Sequence, residues 1–214
     1  MAITLQGASA ATLTISFGSA TFFITCSGTN SILLMGNVTG VSTATYGGLP
    51  MTNIGQFFYL FNPPLGSNTM VVTGGDGIHC FVFAEYNDVG AIGANNISSA
   101  NTFPAFTIPG VSTTVSTTTA NSMLVGLGFG LFGSPSGGPG FTAVAGTTIL
   151  ANSIQIVFYN YTALAMLENG IIASPGSNTV NVDFTFNAQI SYGQALELIE
   201  GVYSPSQFFP FLHN

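Results

Sequence analysis

Two histidines, two cysteines and seven acids are the side chains to weigh first for acid–base or metal chemistry in a chain that holds no Lys and no Arg. His79 is the only imidazole away from the C-terminus. General base catalysis needs an acid and a nucleophile within hydrogen-bond reach. Asp76 and Asp88 stand near His79 in sequence, but their spacing forms no catalytic signature, so a structural or interface role is expected. Cys26 and Cys80 lack metal-type spacing. In FFITCSG and IHCFVF they read as buried free thiols, since a disulfide needs adjacent strands and an oxidising compartment. Strand alternation puts His79 and Cys80 on opposite faces, which argues against a shared transition metal. No DxDxDG loop marks Asp76 or Asp88 as a calcium ligand. Glu85, Asp88, Glu197 and Glu200 leave a carboxylate pair for glycoside hydrolysis open, although acids this sparse are expected to serve hydration.

Two glycine motifs invite a stronger reading and fail it. GFGLFG, from Gly128 through Gly130 to Gly133, matches GxGxxG after an apolar strand. A dinucleotide site also needs a helix N-terminus and an acid about 20 residues on. The following SPSGGPGF cannot start a helix, position 153 is Ser, and the next acid is Glu168. GSPSG has Pro135 where a nucleophile elbow needs Ser. No catalytic residue, cofactor or metal is expected. Three sequons, at Asn37, Asn96 and Asn160, arise by chance in a chain this rich in Asn, Ser and Thr.

The elements that must position these residues are strands. TLTISFG, TFFITCS, MVVTG, HCFVFAEY, SMLVGLGFG, SIQIVFYNYT and TVNVDFTFN alternate or run apolar and are rich in Val, Ile, Thr, Phe and Tyr. Turn clusters YGGLP, NPPLGSN, TGGDG, GSPSGGPG and SPGSN separate them. The pattern predicts an all-β fold, an antiparallel β-sandwich of jelly-roll type. No segment gives a convincing helix; the best candidate, QALELIEG, also reads as a strand with Ala195, Glu197 and Ile199 on one face and Leu196, Leu198 and Glu200 on the other. STTVSTTT, from Ser112 to Thr119, alternates like a solvated strand. Asn87 to Pro109 lacks a strand pattern and is expected to be a loop excursion. No repeat of fixed length is evident. A single domain over residues 1–205 is expected, with an apolar tail over 206–214 that docks on its own domain, a neighbour or a larger particle.

Composition closes off several functions. Of the 214 residues, 47% are hydrophobic and 3% charged, and the formal charge is −7; a typical chain is about 25% charged. Nucleic-acid binding needs Lys or Arg against phosphates, and anionic membranes need the same. The N-terminus has no basic signal-peptide region, and no run of about 18 apolar residues supplies a membrane helix. Synthesis in the cytoplasm is the expectation. Thr, Ser, Asn and Gln hydrate the outer faces in place of charge, leaving strand edges without the Lys that usually blocks edge pairing.

The block VSTATYGGLPMTNIG…FFYLFNPPLGSNTMVVTG, followed by CFVFAEYNDVGAIG, resembles a pattern in phage-encoded and bacterial surface proteins of poorly defined role. Its carriers are Tyr46, Gly47, Gly48, Thr52, Tyr59, Asn62, Pro63, Pro64, Gly66 and Val71 to Thr73. The later strands and the closing YGQALELIE keep the expected order, so the likeness runs from about Val38 to Glu200. YGG and NPP are turn chemistry and mark a fold. The family's Gly-Val-Asp turn is replaced by Tyr86-Asn87-Asp88-Val89. The resemblance implies a jelly-roll-like protein of virions or cell surfaces. The leading expectation is a non-enzymatic capsid decoration or cement protein, with a tail or fibre component as a variant. It would form a homo-oligomer, preferably a trimer, through Phe208, Phe209, Phe211 and Leu212. A carbohydrate-binding, lectin-like surface module is the alternative.

Overall fold

Thr, Val, Ile and Phe fit a pleated, half-buried surface, and nearly every run of them is a strand. The computed structural model describes residues 2–15, 18–37, 40–75, 77–102, 105, 107–132, 140–157 and 160–201. Their strands are β1 (Thr4–Ile15), β2 (Ser19–Cys26), β3 (Ser31–Gly36), β4 (Val41–Tyr46), β5 (Leu49–Pro50), β6 (Thr52–Ile54), β7 (Phe57–Phe61), β8 (Gly66–Gly74) and β9 (Gly77–Asn87), then β10 (Val89–Asn101), β11 (Ile108–Thr117), β12 (Ser122–Phe132), β13 (Phe141–Ala143), β14 (Thr148–Val157), β15 (Asn160–Ile172), β16 (Gly176–Ala188) and β17 (Ile190–Glu200). The fold is all-β and antiparallel, with no helix among the described residues.

Pairing is nested in the manner of a jelly roll. First meets last (β1 with β9), second meets next-to-last (β2 with β8), then β3 meets β7 and β4 meets β5. The same nesting recurs in the second half: β10 with β17, β11 with β16, β12 with β15. Sheet I has the order β1-β9-β3-β7-β6, and sheet III repeats it as β10-β17-β12-β15-β14. Sheet II, β2-β8-β4-β5, is matched by sheet IV, β11-β16-β13. The expected sandwich is therefore present twice.

The two sandwiches stack in four layers, II–I–III–IV, and three apolar clusters fill the gaps. Leu33, Met35, Phe81 and Phe83 of sheet I pack on Ala44, Tyr46, Met70 and Val72 of sheet II. The alternate residues Ile32, Leu34, Val82 and Tyr86 turn the other way, onto Val125, Leu127, Met166 and Leu196 of sheet III. Leu124, Ala165, Leu167 and Ala195 leave the far face of sheet III and meet Val111, Val115, Val180 and Val182 of sheet IV. Each fully buried Phe, Leu or Val is worth about 1.5–3 kcal/mol. Polar bonds cross the middle gap as well: Tyr86 Oη donates to Glu168 Oε2 at 2.9 Å, and Gln56 N donates to Gln194 Oε1 at 2.6 Å. Burial first, then the adjacent Glu168 charge, hold the Tyr86 phenol well above its ordinary pKa.

Register pairs the two units residue by residue. Leu33 faces Glu85 across its ladder as Leu124 faces Glu197. Gly-Ser-Asn-Thr opens β8 (Gly66–Thr69) and again β16 (Gly176–Thr179). Asn30-Ser31 and Asn121-Ser122 both enter the third strand of their unit, and both Asn residues have positive φ, 53° and 59°.

One local expectation changes. Asn87–Pro109 is no loop excursion, because β10 occupies Val89–Asn101. Its small and polar residues lie at a sheet edge, half-buried over 90–94 and mostly exposed over 95–101, so no clear alternation results. The repeat that composition hides is one of topology. QALELIE of this stretch lies within β17, with Ala195 and Leu196 turned to opposite clusters as expected.

Candidate functional site

The sequence-predicted interface residues Phe208, Phe209, Phe211 and Leu212 lie outside the described residues, as do Asp76 and Gly133. Gly128 and Gly130 lie in β12 facing sheet IV. A Cβ on Gly128 would stand 2.8 Å from Val182 Cγ1, and one on Gly126 2.8 Å from Val180 Cγ1. These glycines make room for the opposing valines and let sheets III and IV approach closely. That accounts for Gly128 and Gly130 of the GxGxxG match.

The thiols sit in different layers. Cys26 belongs to the cluster between sheets I and II, Cys80 to the one between I and III, and both are free. Burial pushes the Cys26 thiol up to about 11 and raises Cys80 as well. His79 is buried against Phe81, ring centroids 6.2 Å apart, with Nε2 3.0 Å from the Gly75 carbonyl. Asn37 is buried, donates to the Cys80 carbonyl, and is closed to glycosylation. Tyr46 of the YGG stretch is buried with Oη 3.0 Å from the Ile24 and Gly66 carbonyls. Gly47 and Gly48, with φ of 55° and 80°, make the two-residue hairpin that follows.

The acids overturn an expectation. Glu85 and Glu197 do not serve hydration; both are buried. Glu85 accepts from Gly28 N at 3.0 Å and Ser31 Oγ at 2.9 Å on Oε1, and from Ser27 N at 3.0 Å on Oε2. Glu197 accepts from Thr118 N and Thr119 N on Oε1, and from Thr118 Oγ1 and Ala94 N on Oε2, at 2.8–3.0 Å. In each unit the carboxylate latches the turn between second and third strands, replacing the cation that a buried acid usually needs. Burial pushes Glu197 up, but the Ala94, Thr119 and Thr118 donors outweigh it and hold its pKa below the usual carboxylate value. The two acids face opposite ways, Glu85 toward sheet II and Glu197 toward sheet IV. Two sheet layers stand between them, and sheets pack about 10 Å apart, so they do not form a carboxylate pair.

The units differ where their first and second strands meet. In the second unit, Ser98 Oγ bonds Thr113 Oγ1 at 2.6 Å and Asn96 Nδ2 donates to the Thr114 carbonyl at 2.8 Å, closing β10 onto β11. Ala11 and Phe22 occupy the places of Ser98 and Thr113 in the first unit and have no side-chain polar group. Phe81 and Phe83 there replace Gly193 and Ala195, and Phe22 packs on both rings at 5.6 and 5.5 Å. The rings fill the space between sheets I and II at this end. A cleft of about 300 Å³ opens between β1 and β2, lined by Gly7, Ser9, Ile24, Leu33, Phe83 and Glu85 among others.

No group of three or more His, Cys, Asp or Glu side chains among the described residues is placed to hold a metal. The fold and site thus define a tandem jelly-roll β-sandwich protein with one buried carboxylate latch per unit. Compared with known families, curated proteins and solved structures, the chain matches none.

Proposed function

We propose that the chain is a non-catalytic structural protein of a virion. A capsid decoration or cement protein is the preferred form, and a tail or fibre component the variant. It is made in the host cytoplasm and assembles as a homo-oligomer, preferably a trimer. The observation that carries this reading is the unguarded edge of the stack. Every sheet ends in two strands paired on one side only, and the chain has no Lys to repel a neighbour there. β1 is the plainest case: Thr4–Ala10 are exposed and rich in small residues. Edges of this kind call for a closed interface, most simply a cyclic one. Jelly-roll sandwiches recur in viral capsid and lectin domains, a fold-level analogy that adds weight without assigning a role. A chain without Lys or Arg also offers trypsin-like proteases no cleavage site outside the cell. The tail residues Phe208, Phe209, Phe211 and Leu212 supply further apolar contact. Light scattering of the pure chain, with co-sedimentation on phage particles, tests the reading; a monomer that ignores particles opposes it.

A lectin-like surface module is the second reading, favoured by the open cleft between β1 and β2. Saturable binding on a glycan array, without oligomerisation, would select it.

A further inference from the structure

The duplication supplies an internal control for the cleft. Glu197 has four donors and its carboxylate is complete. Glu85, 5% exposed, has at most three, because Ser31 Oγ shares its single proton between Glu85 Oε1 and the Gly28 carbonyl. The missing donor is the edge strand. In the second unit the irregularity between Ile92 and Asn95 brings Ala94 N to 3.0 Å from Glu197 Oε2. In the first unit the matching irregularity lies between Leu5 and Gly7, but the space above Gly7 is open, with no atom within 4 Å of where a Cβ would stand. Glu85 therefore lines a cleft with one acceptor position unfilled, where its duplicate is sealed.

The walls specify the occupant. β1 and β2 each pair on one side only, so the cleft runs between two free main-chain edges, the setting for strand addition by an extended peptide. Ile24, Leu33 and Phe83 are apolar. An apolar trough ending at a buried anion fits a side chain with a hydrocarbon stem and a cationic head. The chain carries −7 and possesses no Lys or Arg, so a second copy has no Lys or Arg head to offer.

We propose that the cleft between β1 and β2 receives an extended segment of a different protein, whose Lys or Arg side chain completes the hydrogen bonding of Glu85. The inference rests on the assembly reading above and deepens it by naming the contact through which the chain holds a partner.

The test titrates the full chain into a labelled Thr-Val-Thr-Lys-Thr-Val-Thr peptide and follows fluorescence anisotropy. The same peptide with norleucine or Glu in place of Lys is run alongside. The Lys peptide should saturate, with the other two about tenfold or more weaker. Gly7→Leu, which has room to fold, should abolish binding; Glu85→Gln should erase the preference for Lys over norleucine. No saturation, equal affinity for Lys and norleucine, or full binding by Gly7→Leu overturns the proposal. Saturable binding of a neutral oligosaccharide that Gly7→Leu removes, without peptide binding, also overturns it and favours the lectin reading. Loss of peptide binding alone, with co-sedimentation on particles intact, defeats this proposal and spares the assembly reading.

Discussion

Buried carboxylates and facing glycines set the energetics at the scale of single residues. Glu197→Ala would strand three backbone donors and the Thr118 hydroxyl. Each buried donor left unmet costs about 1–3 kcal/mol, so at the low end of that range four donors give a loss of about 4 kcal/mol. For a chain of this size that lowers Tm by roughly 8–16 °C, measurable by calorimetry. The pH dependence follows from the depressed Glu197 pKa. The unfolded chain takes up this proton at a higher pH than the folded chain does, so the contribution is fully present above the unfolded value, about 4.3. It is lost as pH falls through the folded value. Denaturant midpoints should decline on acidification below about pH 4.3, and Glu197→Gln should flatten that decline. Gly128→Val drives a methyl group against Val182 and Val111; overpacking of this kind costs about 1–3 kcal/mol. Nucleotide binding should be absent before and after that change. Cys26 and Cys80, with pKa values pushed up by burial, should resist Ellman's reagent in the native chain and react only on unfolding.

At the scale of elements, hydrogen exchange should separate central strands from edges. Amides of β3, β9, β12 and β17 lie inside the stack and should exchange slowest, while the amides of Gln6–Ala10 that point away from β9 exchange fast in the unassembled chain. Protection of those outward amides in a proven monomer would contradict the free edge. Strands with one or two apolar faces were readable because alternation is the direct imprint of burial: TFFITCS, HCFVFAEY and SMLVGLGFG all fall on strands. β10 was hidden because an exposed edge strand imposes no alternation on GAIGANNISSAN. The second sandwich was hidden because only short signatures survive, Asn-Ser before the third strand and Gly-Ser-Asn-Thr at the next-to-last. Large residues of one unit stand where the other has glycine, as Phe81 does opposite the place of Gly193. The latch was illegible for another reason. Its partners Ser27, Gly28 and Thr118, Thr119 contribute mainly backbone N–H groups, which leave no mark in residue type. The one available hint was Glu85 and Glu197 interrupting otherwise apolar runs.

For the whole molecule, one nested ribbon has been doubled and the copies joined back to back through sheets I and III. The doubling uses the apolar faces of both inner sheets, so among the described residues the surfaces left for association are the outer sheets and the strand edges. Removing Ser206–Asn214 should weaken oligomerisation and particle binding while leaving the strand circular-dichroism signal unchanged; an unaltered oligomer that still binds would exclude the tail as an interface. The most direct test of the central claim is the native mass of the full 22.0 kDa chain, free and after co-sedimentation with phage particles. The account predicts a discrete homo-oligomer, preferably a trimer, that travels with the particles. A chain that remains monomeric at every concentration and stays in the supernatant contradicts it.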